Sequence, residues 1–239
     1  MAHTFILDGQ TIPFAEGETV LSAATRAGVF IPHLCHHPDF KPYGGCKLCT
    51  VRVEGRHTAA CTLRAMPGLR VESDTEALNA ERRHLTQMLF VEGNHFCPGC
   101  EQSGHCQLQA TAAHLGMTSP HYPQFFPARP LDASHPDILL DLNRCILCTL
   151  CIRASREVDG KAVFALGGRG IGTHLVVNAA SGRLVDSDLS ADDLAARICP
   201  VGAILPKRRG FAVPIGERTY DGHAQVAGPL KTANREEGV

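Results

Sequence analysis

The sequence predicts an α+β chain made of small metal-binding modules, and three observations carry that prediction. Local signals run in the order hairpin, short helix and further strands, then two short helices, then strands mixed with helices. Eleven cysteines fall into three separate groups with none left over. Five prolines, at 120, 123, 127, 130 and 136, mark a linker between the middle and last parts. The expected boundaries are 1–74, 75–116, a linker over 117–136, then 137–206 and a tail over 207–239.

Within the first module, residues 4–7 are apolar and partly β-branched. Asp8-Gly9 is a hairpin signal, and residues 11–14 form the return strand. Thr19 caps a helix over 20–27, and Gly28 ends it in the left-handed conformation. Residues 50–54 and 57–61, joined through Gly55, read as a second hairpin, and 69–72 as a last strand. Ser73 and Glu76 have capping-box spacing, and Leu78, Leu85, Met88 and Leu89 recur at helical intervals before a stop at Gly93. A second helix covers 106–115, ended by Gly116. Past the linker, 138–142, 161–166 and 174–178 read as strands. Helices are expected over 150–158 and, capped by Ser190, through 196. Residues 207–239 have weak periodicity and read as a tail that orders on a partner.

Composition narrows the function. Charge is balanced, at 23 Lys+Arg against 24 Asp+Glu, which argues against a binder of nucleic acid or anionic membranes. No run of residues approaches a membrane span, and no secretory signal is visible at the front. Eleven cysteines in 239 residues fall short of the ~8–10% of a disulfide scaffold. An odd number of cysteines without an export signal suits metal binding in a reducing cytoplasm.

The last group, Cys145, Cys148, Cys151 and Cys199, is the most specific. Its Cys-x2-Cys-x2-Cys run lacks a nearby fourth cysteine, and its distant Cys-Pro comes from a second half that lacks its own triplet, which fits a two-cluster ferredoxin fold that keeps one [4Fe–4S] cluster. The first group, Cys35, Cys46, Cys49 and Cys61, supplies four thiolates for a [2Fe–2S] cluster. Tyr43-Gly44-Gly45 lies inside it, where glycines let backbone N–H groups approach sulfur. His33, His36 and His37 flank Cys35. Four cysteines are already present, so these histidines read as surface or supporting residues rather than Rieske ligands. The middle group, Cys97, Cys100 and Cys106, has only three cysteines. A neutral imidazole supplies the fourth bond. His95 and His105 are both near, and His95 is the better placed. Twelve donors then make three sites of four.

Zinc is the alternative for any one group. It would leave a structural or adaptor protein without redox chemistry. Zinc knuckles come as paired cysteines, which a triplet fits badly. Gly167-Gly168-Arg169-Gly170-Ile171-Gly172 does not match a dinucleotide fingerprint and reads as a flexible loop. No P-loop, zinc-protease or nucleophile-elbow motif occurs, so no catalytic residue is assigned.

In this order, the three groups resemble the front of the large iron–sulfur subunit of respiratory complex I. They also resemble the front of iron-only hydrogenases and of NAD-linked formate dehydrogenases. Those chains continue into large catalytic domains. A chain ending soon after the last group, with Glu92-Gly93-Asn94-His95-Phe96-Cys97-Pro98-Gly99-Cys100 in the middle, resembles the small iron–sulfur diaphorase subunits of NAD-reducing [NiFe] hydrogenases.

That resemblance implies a β-grasp [2Fe–2S] ferredoxin domain, a helical [4Fe–4S] module with one histidine and three cysteine ligands, and a bacterial-ferredoxin-like domain. It implies one [2Fe–2S] and two [4Fe–4S] clusters relaying single electrons. The implied partners are a diaphorase subunit carrying FMN and NAD and the small and large [NiFe] hydrogenase subunits. The alternative hosts are a formate dehydrogenase or a complex I-type enzyme. One departure stands out. The wider family has His-x3-Cys before the second group, whereas here that position is Gly93 and His95 gives His-x1-Cys.

Overall fold

The computed structural model describes residues 3–119, 121–124 and 128–221. They fall into two compact units, one within Met1–Asn79 and one within Ala80–Ala224.

In the first unit, strands β1 (His3–Leu7) and β2 (Gln10–Phe14) pair antiparallel. Asp8 and Gly9 both take positive φ, +48° and +83°, as a two-residue turn that matches strand twist requires. Alternation turns Phe5, Leu7 and Ile12 into the core. Helix α1 (Val20–Arg26) is capped by Thr19, whose Oγ1 accepts the Ser22 N–H at 3.1 Å. Its buried face is Val20, Leu21, Ala23 and Ala24. Strands β3 (Thr50–Val53) and β4 (Arg56–Ala59) form the second hairpin. Strand β5 (Arg70–Val71) lies parallel to β1. The Arg52 and Glu72 backbones exchange hydrogen bonds of 2.8 and 2.9 Å, so β3 adjoins the end of β5. A hairpin, a helix across it and a strand parallel to β1 make the β-grasp arrangement. Cys49 and Cys61 belong to its apolar core.

Helix α2 spans Glu76–Glu92, and two expectations about it need correction. Its start is capped by Thr75, whose Oγ1 accepts the Leu78 N–H at 3.3 Å. The Ser73 N–H is instead drawn to the Asp8 carboxylate at 2.7 Å. The buried face runs through Leu78, Arg82, Thr86, Gln87 and Val91, while Met88 is exposed. The stripe has helical spacing but carries polar residues, which hydrophobic periodicity passes over. Thr86 satisfies itself by donating to the Arg82 carbonyl at 2.7 Å.

In the second unit, α3 (Gln107–His114) ends at Gly116, φ +69°. Strand β6 (Leu131–Asp132) lies inside the expected linker and pairs with β7 (Ile138–Asp141). Helix α4 (Leu150–Glu157) follows the cysteine run. Strands β8 (Phe164–Gly167) and β9 (His174–Val177) pair antiparallel. β8 starts later than expected because Ala162 is left-handed and the Lys161 N–H bonds back to the Ser155 carbonyl. The glycine-rich segment is a 3₁₀ turn, Gly170–Gly172, between these strands.

Helix α5 (Leu194–Arg197) is shorter than expected, with Asp193 rather than Ser190 at its cap position. Its first N–H groups find their acceptor in the Asp159 carboxylate, at 2.9 and 3.0 Å. That cap comes from far along the chain. Strand β10 (Ile204–Pro206), which no local pattern in the sequence marks, completes the sheet order β10-β7-β6.

The tail expectation also needs correction for residues 207–221. The Lys207 ammonium donates to the Ala133 and His135 carbonyls, both at 2.6 Å, and Arg208 pairs with Asp137. Residues 222–239 lie outside the described residues.

Candidate metal centres

The first donor set is assembled by the β3–β4 hairpin. Cys49 precedes β3 and Cys61 follows β4. The ladder continues past both strands, with the Ala60 N–H on the Cys49 carbonyl at 2.9 Å. Cys46 and Cys49 share a turn in which Lys47 is left-handed, φ +59°. A left-handed residue there turns successive N–H groups toward one concavity. The Cys46 N–H donates to Cys35 Sγ at 3.4 Å.

The four thiols influence one another's titration in two pairs, Cys35 with Cys46 and Cys49 with Cys61. Sharing a proton with its partner, and then burial, raises the pKa of Cys46 and of Cys49. The Cys49 thiol, donating, lowers the pKa of Cys61. The Gly44 N–H adds to that lowering, the approach expected of the glycines in this loop. Two thiolate pairs suit a two-iron cluster with two thiolates on each iron. Of the flanking histidines, His37 is buried rather than on the surface. Half-buried His33 has its Nδ1 2.8 Å from the Ile31 carbonyl.

The second set surrounds a cavity lined by His95, Cys97, Cys100 and Cys106 together with Arg144 and Gly202. Cys97–Gly99 is a single 3₁₀ turn with Pro98 near its start, closed by the Cys100 N–H on the Cys97 carbonyl at 3.2 Å. Cys106 sits at the N-cap of α3, where the Leu108 and Gln109 N–H groups face its sulfur. Burial outweighs them and pushes the thiol to about 12.

His95 is the informative member. Its Nε2 is buried with no hydrogen-bond partner. Burial, and then the nearby Arg144 guanidinium, lowers its pKa to about 4 and keeps it neutral. The Leu89 carbonyl acts on the ring in the opposite sense to burial, raising its pKa. A buried, neutral imidazole with a partnerless ring nitrogen facing a cysteine-lined cavity has the character of a metal ligand. Gly93 is what admits it. A Cβ at 93 would overlap the His95 ring and stand 2.9 Å from the Asn143 carbonyl oxygen.

His105 points elsewhere. Its Nδ1 lies 2.7 Å from Thr219 Oγ1. It anchors a strap, Gly216–Asp221, that passes over residues 103–106. The Tyr220 N–H donates to the Gly104 carbonyl at 2.9 Å, and Arg218 pairs with Asp221 at 2.8 Å.

The third set, Cys145, Cys148, Cys151 and Cys199, lines a second cavity whose other walls are apolar apart from Thr149, among them Ile146, Leu175 and Ile204. The C-terminal end of β7 meets the N-terminal end of β10, with the Asp141 N–H on the Ala203 carbonyl at 2.8 Å. That brings the Cys-Pro segment to the cysteine run. Leu147 and Thr149 are both left-handed, φ +53° and +62°, a conformation costing about 1–2 kcal/mol per L-residue. It folds the triplet around the cavity and aims the Leu147 N–H at Cys145. Burial pushes Cys145 to about 11 and raises Cys151 and Cys199, although three backbone N–H groups face the Cys199 sulfur.

The second and third sets each ring a cavity, an arrangement that suits the donors of a multi-iron cluster.

Comparison with known proteins agrees with this reading. Residues 2–76 match a 2Fe-2S iron–sulfur cluster binding domain. Residues 82–121 match the NADH-ubiquinone oxidoreductase-G iron–sulfur binding region. Residues 135–205 match the ferredoxin-like domain of NADH-quinone oxidoreductase subunit 3. The NAD-reducing hydrogenase HoxS subunit gamma of Cupriavidus necator is 38% identical over 222 residues, covering 92% of this chain and 94% of that one. The chain belongs to that family of iron–sulfur electron-transfer subunits.

A chain in the crystal structure of an NAD+-reducing [NiFe]-hydrogenase in the H2-reduced state is 56% identical, with a TM-score of 0.89 over 92% of this chain and 94% of that one. More distant members of the group include the mitochondrial NADH-ubiquinone oxidoreductase 78 kDa subunit of Candida albicans. It is 32% identical over 86% of this chain, which spans 28% of its length. Sequence reasoning missed Gly93, Arg144, Gly202 and the strap as parts of the site. Arg144, directly before Cys145, was the one visible signal.

Proposed function

We propose that this chain relays single electrons between an FMN- and NAD-binding diaphorase subunit and a [NiFe] hydrogenase module, in the overall reaction H2 + NAD+ to NADH + H+. Cys35, Cys46, Cys49 and Cys61 hold a [2Fe–2S] cluster. His95, Cys97, Cys100 and Cys106 hold one [4Fe–4S] cluster, and Cys145, Cys148, Cys151 and Cys199 hold another. Each cluster, when bound, takes up and returns one electron, which is what connects hydride chemistry at one end to hydrogen oxidation at the other. The chain's own residues orient the donors, exclude water from the two cavities and direct N–H groups at sulfur.

The observation that carries the reading is that two complete four-donor sets line two cavities sharing one wall. Arg144 faces the first cavity and Cys145 the second. Gly202 faces the first, and Val201 and Ala203 the second. Adjacent cavities give electrons a short route. Near-complete mutual coverage with the C. necator gamma subunit favours a hydrogenase host over a formate dehydrogenase or a complex I-type enzyme. A reducing, cytoplasmic setting suits thiols kept for metal. Among the described residues no helix is long and apolar enough to cross a membrane.

The test is iron and acid-labile sulfide on anaerobically purified protein. About ten of each per chain are expected, with EPR signals from both cluster types after reduction. Zinc without sulfide would overturn the relay. The subunits that copurify identify the host.

A further inference from the structure

Arg144 stands in the wall between the two cavities of the second unit, and its side chain is turned to one of them. Its Nη1 lies 3.4 Å from Cys100 Sγ and 3.0 Å from Glu101 Oε2, and its Nε lies 2.9 Å from Asp141 Oδ2. Asp141 is itself fixed, accepting from the Asn143 backbone N–H and side-chain amide, each at 3.0 Å. Gly202 keeps the contact open from the other side. A Cβ there would come within 2.8 Å of Cys100 Sγ and 3.3 Å of Arg144 Nη1. The guanidinium is one-fifth exposed and always charged.

Building on the ligand assignment proposed above, we propose that Arg144 is a positioning residue that raises the reduction potential of the cluster held by His95, Cys97, Cys100 and Cys106, selectively over its neighbour. Reduction adds one negative charge. A fixed positive charge in hydrogen-bond contact with a ligand sulfur favours the reduced form. Coulomb energy falls with distance. Arg144 lines the His95 cavity and not the one bounded by Cys145, Cys148, Cys151 and Cys199, so the first cluster feels it more. Glu101, on the same Nη1 that faces Cys100, and Asp141, on Nε, offset part of that charge.

The experiment is a reductive titration of the full chain in its assembled complex, following the EPR signal of each cluster, for three variants. Arg144→Gln is expected to shift the midpoint of the His95-site cluster downward, with a smaller shift at its neighbour. Arg144→Lys, which keeps the charge but loses the fork, is expected to recover most of the shift. Glu101→Gln is expected to move the same midpoint upward. Opposite signs for Arg144→Gln and Glu101→Gln distinguish charge from a merely structural role. An unchanged midpoint in Arg144→Gln with full iron content overturns the proposal, as does an equal shift in the Lys variant. If Arg144→Gln does not retain the cluster, Glu101→Gln decides alone, and no upward shift there overturns it. The ligand reading fails separately, if His95→Ala leaves the iron content and EPR of this cluster unchanged.

Discussion

The two cavities of the second unit have the same number of donors and almost opposite characters. The cavity of Cys145, Cys148, Cys151 and Cys199 is walled by apolar side chains apart from Thr149, and its donors are four thiols of one kind. The cavity of His95, Cys97, Cys100 and Cys106 replaces one thiol with a neutral imidazole and adds a guanidinium to its wall. On the proposed assignment the first would present four thiolates to its cluster in a largely apolar surrounding, and the second three, next to an arginine. Clusters of one type placed in these two settings are driven apart in potential by ligand charge and hydrogen bonding to sulfur. If both cavities hold the proposed [4Fe–4S] clusters, the difference teaches that this chain would separate two like carriers by their surroundings rather than by cluster type.

The largest expected effect is loss of one member of the pair. Cys199→Ala removes the distant thiol that closes the triplet site. Iron is expected to fall from about ten to about six per chain, with the His95-site EPR signal retained. If that signal disappears as well, the two cavities are not independent sites, and the comparison between them breaks.

A smaller effect sharpens the comparison. His95→Cys gives the second cavity the four thiolates of the first. One more negative ligand disfavours the reduced form, so its midpoint is expected to move down, toward that of its neighbour, in a potentiometric EPR titration. A shift upward would show that ligand charge does not govern the difference. Arg144 remains in place in this variant, so the two midpoints are not expected to coincide.

Much of this was legible in the residues, and the gaps share a physical cause. The Asp8-Gly9 turn, the Thr19 cap and the cysteine spacings are local signals, and the structure bears out the turn and the cap. Residues were misread where a distant partner decides the outcome. The start of α5 is set by Asp159, far earlier in the chain. The buried stripe of α2 includes Arg82 and Gln87, which periodicity counts as surface. His95 and His105 both lie close to the cysteines in sequence, where His95 reads as the better placed. The partnerless, buried Nε2 of one ring and Thr219 on the other separate them in space. Gly93 looked like a missing ligand, yet it is the lack of a Cβ there that lets the His95 ring occupy its place.

The strap adds a last asymmetry, because Gly216–Asp221 covers residues 103–106 of the His95 module. Its fastening is electrostatic. The Asp221 carboxylate takes the Arg218 guanidinium at 2.8 Å and the Gly216 N–H at 2.6 Å. Arg218 first, with the backbone N–H groups adding, holds its pKa well below the ordinary carboxylate range. A carboxylate whose folded pKa is depressed stabilises the strap above its unfolded pKa of about 3.9 and loses that contribution as pH falls toward the folded value. The strap is therefore expected to stay fastened across neutral and mildly acidic pH. Asp221→Asn removes the charge at every pH. Amide exchange at Tyr220, whose N–H donates to the Gly104 carbonyl, is then expected to accelerate at pH 7, while iron content and the signal of the Cys199 site stay as they were. Unchanged exchange at Tyr220 would mean that Thr219 on His105 fastens the strap without the ion pair.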